Sequence, residues 1–551
     1  MSRLRGNPWA VLVALCLGFF MTLLDTTVVG VAIPNIVERL GTSYNEVLWV
    51  SNSYVLVLAV FLITGGRLGD LFGKRGVYLA GVAVFTLASL LCALARDPGQ
   101  LIAARTVQGL GAALLIPQTM SIIMGVFPPE RRGTALGVWG AVAGVATITG
   151  PPLGGFLVGA LDWRWIFTVN VPLGILILVF APMIIPAGAK PPGTGRFDVP
   201  GAVLVILGLS CLAFGLQEGQ RYHWGTVWSF VSIPLLLVLG VALLVAFGFT
   251  QRRPGTRAPM VPFALLTDRN FSLMNAGAIG LSVGIMSMAI GFQLYAQSVL
   301  GFSALAAGMI SLPMSAISVV LGPYAGRLSD KVGGKPIVVT GLLLFGLGLL
   351  IFSLTSTVDS TVWTLLPSMI VMGLGLGATF APLTTVAMYD VQPMMAGSAA
   401  GVLNATRQIG AVLGTAGFGV LLQNQLVGTL VTRAESVATT LPPEVRGEFV
   451  DGVRRATGSG LDFAELQAGT AVPVPSGTTP AVAQRIATAA DEVFSGGYVA
   501  AMHGAMVLPV TAVLLGAVCG LLAKRRRPPA AAPDNAAEKL PPRRARAENP
   551  S

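Results

Sequence analysis

Gly66-Arg67-Leu68-Gly69-Asp70-Leu71-Phe72-Gly73-Lys74 has a near copy at Gly326-Arg327-Leu328-Ser329-Asp330-Lys331-Val332-Gly333-Gly334-Lys335. Both read G-R-L-x-D-x-x-G, at an offset of 260 residues. A second echo runs at nearly the same spacing. Pro129-Glu130-Arg131-Arg132-Gly133-Thr134-Ala135-Leu136-Gly137 and Pro393-Met394-Met395-Ala396-Gly397-Ser398-Ala399-Ala400-Gly401 share P-x-x-x-G-[ST]-A-x-G, 264 residues apart. Two echoes at nearly one spacing mark an internal duplication. Each motif sits beside a long apolar run, so the repeated unit is a set of apolar segments.

The composition agrees. Of 551 residues, 54% are hydrophobic and only 11% are charged, less than half the roughly 25% of a soluble domain. That is too little charge to coat three or four soluble domains, and too much apolar mass for an intrinsically disordered chain. A polytopic membrane protein remains. The net charge of +11 does not point to nucleic acid, because the basic residues punctuate the apolar runs instead of forming one patch. Cys16, Cys92, Cys211 and Cys519 all lie in apolar runs without metal-ligand spacing. They read as small hydrophobes, with no metal site and no disulfide expected. The first apolar run is too long for a signal-peptide core and is read as a retained span.

A membrane-crossing helix needs about 20 mostly apolar residues. Fourteen such runs occur, at about 9–33, 46–66, 76–95, 100–124, 134–159, 165–186, 199–217, 228–250, 271–296, 304–326, 336–356, 362–388, 398–424 and 497–523. The echoes equate spans 1–6 with spans 9–14 and leave spans 7 and 8 as an added pair. The expected fold is an all-α membrane protein with two six-helix halves and two inserted central helices. The first half is expected over 1–186, a linker carrying the extra pair over 187–270, and the second half over 271–523. Within the second half, 425–496 reads as a long external loop, rich in Pro, Gly and Thr around 469–480. The basic tail 524–551 reads as disordered, and its Lys524-Arg525-Arg526-Arg527 suits either a stop-transfer anchor or anionic lipid.

An even span count puts both termini on one side. If that side is the cytoplasm, 24 of the 35 Lys+Arg fall on cytoplasmic segments and 9 on external ones. The positive-inside bias therefore places both ends in the cytoplasm. Ala-, Gly- and Arg-rich usage fits a GC-rich bacterium, and hence a bacterial cytoplasmic membrane. Duplicated six-span halves are a transporter architecture, with the substrate site between them near mid-membrane.

On these motifs the chain resembles the major facilitator superfamily, and within it the fourteen-span drug/proton antiporter branch, over roughly residues 9–523. Leu24-Asp25-Thr26-Thr27-Val28-Val29-Gly30-Val31-Ala32-Ile33-Pro34 is similar to the branch's L-D-x-T-V-V-N-V-A-L-P, with Gly30 in place of Asn. Gly137, Gly150, Pro151, Gly154 and Gly155 match its antiporter motif in span 5, with Ala146 in place of Gly. Glycines of this kind let helices approach closely, and proline bends a span. Asp162-Trp163-Arg164-Trp165-Ile166-Phe167-Thr168-Val169-Asn170-Val171-Pro172-Leu173-Gly174 is similar to the W-R-W-x-F-x-x-N-x-P-x-G signature, and is assigned structure rather than chemistry. The resemblance implies that Gly66, Asp70, Gly73, Lys74, Arg75 and Asp330 belong to a conformational latch between the halves. It also implies export in preference to import.

Asp25 is the only carboxylate well inside a span, and an intramembrane ionisable residue is a functional candidate by default. The bland alternative is a structural salt bridge. Arg105, in Arg105-Thr106-Val107-Gln108-Gly109, is a permanent cation in span 4. At 1.5 Å per residue, Asp25 lies about 24 Å into span 1 and Arg105 about 8 Å into span 4 from the opposite side. Both depths fall in the outer half of a core about 30 Å thick, so the two residues are able to pair. A neighbouring guanidinium favours a charged carboxylate and burial favours a neutral one. A change of surroundings can then load or unload a proton. In span 13, Asn404, Arg407 and Gln408 share one helix face at i, i+3 and i+4. Substrate contact and helix–helix bonding are both open for them. Gln108 and Gln293 are further candidates for a substrate cavity. Glu218 and Asp390 lie at span ends, within reach of water.

The leading expectation is a proton-coupled exporter of lipophilic drugs, antibiotics or related natural products, working by alternating access. Neutral or monocationic compounds are favoured, since a dication meets little compensating charge. Its partners would be a small lipophilic substrate, protons and membrane lipids, with no nucleic acid. No cofactor is expected, the proton gradient being the energy source. The alternative is a major facilitator importer or facilitator of a small organic metabolite. An enzyme is not expected: there is no Walker A sequence and no H-E-x-x-H, and the chain has only two histidines, His223 and His503.

Overall fold

The computed structural model describes residues 6–187, 196–219, 221–252, 257–458 and 480–525. The tail from residue 526 and the stretch 469–479 lie outside the described residues. Among the described residues, thirteen helices are long and apolar enough to cross a membrane, which makes this a multi-pass membrane protein. The first half comprises α1 (Pro8–Leu40), α2 (Tyr44–Phe72), α3 (Lys74–Leu94), α4 (Pro98–Val126), α5 (Arg132–Ala160) and α6 (Asn170–Ile184). The inserted pair is α7 (Val199–Glu218) and α8 (Ile233–Arg252). The second half comprises α9 (Arg269–Leu294), α10 (Leu312–Val332), α11 (Gly334–Thr355), α12 (Val362–Met388), α13 (Ala396–Ala438) and α14 (Val507–Leu522).

The span expected at 304–326 is the exception to the count of thirteen. It is broken into Ala304–Ile310 and α10, with Ser311 between them. Pro313 explains the break, since it has no N–H to give to the carbonyl four residues earlier and its ring clashes there.

Both described ends lie on one face, called here the terminal face. Gly6 N donates to Ile184 O at the end of α6 (3.1 Å). Lys524 N donates to Asn270 Oδ1 at the start of α9 (2.8 Å). Of the inserted pair, α7 stands against α2 and α8 packs on α7. Trp49 meets Phe214 at 5.9 Å between ring centroids, and Asn52 Nδ2 donates to Glu218 Oε1 (3.1 Å). Glu218 is therefore not the water-exposed span end the sequence suggested. It is 4% exposed and also pairs with Arg221 at 3.3 Å.

The segment 425–496 is not a loop over most of its described length. α13 runs on to Ala438, a further helix covers Pro443–Gly458, and another covers Pro480–Ala505 before α14 begins. The cause is a stripe at helical spacing: Leu426, Leu430, Ala434 and Ala438 are all buried. Phe449, Val453, Ile486, Val493 and Phe494 share that buried cluster. The result is a helical projection on the far face.

Candidate functional site

Asp25 lies in the latter half of α1 and is 1% exposed. Its Oδ2 is paired with Arg105 of α4. Its Oδ1 accepts from Gln108 Nε2 (3.0 Å) and from Asn170 Nδ2 of α6 (3.0 Å). Arg105 and Gln108 reach the same carboxylate because they sit at i and i+3 on α4. Arg105 Nη1 also donates to Gln108 Oε1 (2.8 Å), and its Nε donates to Val50 O of α2 (3.0 Å). Its guanidinium lies 4.2 Å from the centroid of the Tyr54 ring, a cation–π contact. Ser89 of α3 accepts from both Gln108 (3.2 Å) and Asn170 (3.1 Å) and donates to Phe167 O (2.9 Å). Two opposite charges are thus buried together with their hydrogen-bonding capacity largely met, the condition under which burial of charge is tolerable.

Sequence reasoning brought Asp25 and Arg105 to the same depth, and the fold joins them. It missed Asn170, Ser89 and Tyr54. Asn170 had a signal, being the asparagine of the signature read as structural. Ser89 and Tyr54 had none, because nothing in their local sequence marks them. Gln108, named as a substrate-cavity candidate, is fully buried and engaged with Asp25, Arg105 and Ser89.

On the terminal face the two sequence echoes meet each other. Asp70, at the end of α2, accepts from Gly397 N (2.9 Å), Ser398 N (2.7 Å) and Ser398 Oγ (2.8 Å) at the start of α13. Asp330, at the end of α10, accepts from Gly133 N (2.7 Å), Thr134 N (2.8 Å) and Thr134 Oγ1 (2.8 Å) at the start of α5. Each acidic motif therefore caps the helix opened by the other half's P-x-x-x-G-[ST] motif. The unpaired N–H groups and positive dipole end of each helix receive a carboxylate. A side chain on Gly66 would run into Gly397 O, and one on Gly326 into Gly133 O, so backbone contact is the packing element of both seams. Gly73 (φ 98°) and Gly333 (φ 89°) make the turns that follow, in a region L side chains rarely adopt. Lys74 Nζ donates across the seam to Pro393 O (2.8 Å). Arg75 stays in its own half, donating to Pro182 O (2.7 Å), as Lys335 does to Leu521 O (2.7 Å).

The span 5 motif divides its work along α5. A Cβ on Gly137 would meet Gly322 O at 2.6 Å, so this end packs on α10 of the other half. Gly150 packs on Thr27 and Gly154 on Val28, both on α1 and close to Asp25. Gly155 has open space at its Cβ position, and Pro151 is exposed. α5 is thus one rod with the Asp25 helix at one end and the terminal-face seam at the other.

In α13, Arg407 is 9% exposed and Asn404 equally so. Arg407 Nη2 donates to Thr384 Oγ1 of α12 (2.7 Å), while its Nε and Nη1 have no hydrogen-bond partner. Asn404 Nδ2 donates to Ala400 O (2.8 Å) within its own helix. Gln408 and Gln293 are half-buried, on α13 and α9 respectively, and neither joins the Asp25 cluster.

Residues 15–415 match the Major Facilitator Superfamily as a family. The chain is 37% identical over 522 residues to an uncharacterised MFS-type transporter of Mycobacterium tuberculosis, covering 94% of this chain and 81% of that protein. It is 32% identical over 534 residues to the tetracenomycin C resistance and export protein of Streptomyces glaucescens, covering 97% and 95% respectively. Among solved structures, a proton:xylose symporter superposes with a TM-score of 0.52 at 15% identity, over 76% of this chain and 89% of that one, a likeness of fold alone. Duplicated halves joined crosswise at one face, an ion pair buried between helices and these matches over most of the length agree: the chain belongs to the Major Facilitator Superfamily.

Proposed function

We propose that the protein is a proton-driven exporter of lipophilic small molecules in a bacterial cytoplasmic membrane, with both termini inside. One observation carries the reading: Asp25 is wholly buried among the spans and held by Arg105, Gln108 and Asn170. A carboxylate at that depth is costly and marks a proton or ion pathway. The export-named relative from Streptomyces supports the direction of transport.

In this reading the described conformation is closed toward the cytoplasm, because both acidic caps are made on the terminal face. A proton arriving from outside neutralises Asp25 and weakens its hold on Arg105, Gln108 and Asn170. α1 then shifts against α5 at Thr27 and Val28. α5 carries the movement to the seam where Gly133 and Thr134 meet Asp330. Opening that face lets the proton leave and substrate enter from the cytoplasmic side. The proton gradient is the energy source, so no cofactor takes part.

The test uses everted vesicles containing the wild type or Asp25→Asn, with an acid interior and a fluorescent lipophilic dye outside. Dye uptake and proton release are recorded together. Coupled movement in the wild type, lost in Asp25→Asn, is the expected result. Dye uptake unchanged in the variant would remove Asp25 from the coupling step.

A further inference from the structure

Four side chains form a ladder across the seam between the halves. Phe19 of α1 stacks on Trp139 of α5, with centroids 4.2 Å apart and planes at 16°. Trp139 meets Phe380 of α12 at 5.9 Å and 31°. The Arg407 guanidinium lies 4.2 Å from the centroid of the Phe380 ring. Phe19 and Trp139 belong to the first half, and Phe380 and Arg407 to the second. The seam therefore passes between Trp139 and Phe380. Trp139 is six residues beyond Gly133, about 9 Å along α5 from the terminal-face cap.

Arg407 is the anomaly in this ladder. Its Nε and Nη1 are enclosed with no hydrogen-bond partner, and no carboxylate pairs with it among the described residues. Burying a cation without a counter-ion is expensive. If its task were to tie α13 to Thr384, an uncharged amide would do so at lower cost. Asp25 cannot be the missing counter-ion, since it is already paired with Arg105. The two central charges of the first half cancel, and Arg407 stands over. If Arg407 meets the substrate, the compound it favours is an anion, in contrast to the neutral or monocationic one expected from the sequence.

We propose that Arg407 is a substrate-binding residue and that the transported compound is a planar aromatic anion. When the terminal face opens, Trp139 and Phe380 part and each uncovers a ring face. The flat body of the substrate enters between them, and its carboxylate or phenolate accepts from the idle donors of Arg407. When that face closes again, Trp139 and Phe380 regain each other, as they stand here, and the substrate has been displaced toward the far face. The inference rests on the exporter reading for the direction of movement, but the binding site stands on the geometry of the ladder.

The test uses the full-length protein in lipid nanodiscs and three probes of one shape: pyrene-1-carboxylate, 1-pyrenemethanol and 1-pyrenemethylammonium. Equilibrium dialysis measures the affinity of each for the wild type, Arg407→Gln and Arg407→Lys. A charged hydrogen-bond partner in a dry site discriminates by about tenfold or more. The wild type is expected to prefer the carboxylate over the alcohol by that factor, with the ammonium weakest. Arg407→Gln should lose the preference while keeping affinity for the alcohol, and Arg407→Lys should keep part of it. Equal wild-type affinity for carboxylate and alcohol overturns the proposal even if neither variant folds. So does a preference that survives Arg407→Gln, or the absence of binding by all three probes. The everted-vesicle assay separates the two readings. Proton-coupled uptake of the alcohol without any anion preference defeats the aromatic-anion site and leaves the exporter standing. Anion preference without proton-coupled uptake of any probe does the reverse.

Discussion

At Asp25 the cost of burying charge is met by three donors from two other helices, so the energetics belong to the cluster. Removing one member of a buried pair strands the other, at a cost of about 3–5 kcal/mol, whereas replacing both by apolar groups of similar size is often neutral. Asp25→Leu and Arg105→Met are therefore each expected to lower thermal stability in detergent sharply. The double variant should recover most of the loss while remaining inactive in transport. A double variant as unstable as the sum of the singles would show that the pair is not the unit. Asn170→Ala removes a donor to the buried carboxylate and should cost about 1–3 kcal/mol. Thermal unfolding with no change in midpoint would sever Asn170 from the cluster.

Among the helices, the crosswise caps make a prediction that a latch within each half would not. Asp70→Ala frees the amides of Gly397 and Ser398, which belong to the other half. Amide hydrogen exchange at those two residues should rise by about tenfold or more, the loss expected for a charged hydrogen bond. Asp330→Ala should do the same at Gly133 and Thr134. An increase confined to the mutated half would defeat the assignment. The turn glycines provide a contrast. Gly73→Ala forces an L side chain to φ near 98° and should destabilise by about 1–3 kcal/mol. Gly76 has open space and no positive φ, so Gly76→Ala should shift the melting temperature little.

For the whole molecule, alternating access requires the terminal-face seam to open in every cycle. Lys74 and Pro393 face each other across it. With Cys16, Cys92, Cys211 and Cys519 replaced, Lys74→Cys and Pro393→Cys joined by a short reducible cross-linker should stop transport. Reduction should restore it, and vesicle transport at the wild-type rate with the cross-link intact would rule out opening at this seam. Much of this architecture was legible in the chain itself. Apolar runs of membrane-spanning length and two echoes at nearly one offset determine spans, duplication and the position of the added pair, because those are matters of length and period. The depth of Asp25 and Arg105 was legible too, since helical rise converts sequence distance to height. The partners of the motifs were not. That Asp70 caps α13 and Asp330 caps α5 depends on how two halves face each other, which local pattern does not encode. The helical projection formed by the described parts of this segment, 425–458 and 480–496, was hidden by its mixed charge, although every fourth residue from Leu426 to Ala438 is buried. Arg407 shows the division most sharply. Sequence placed a cation on an inward face, but only packing shows that Asp25 is already paired with Arg105 and that Nε and Nη1 of Arg407 lack a partner, because pairing is decided by contacts between helices far apart in the chain.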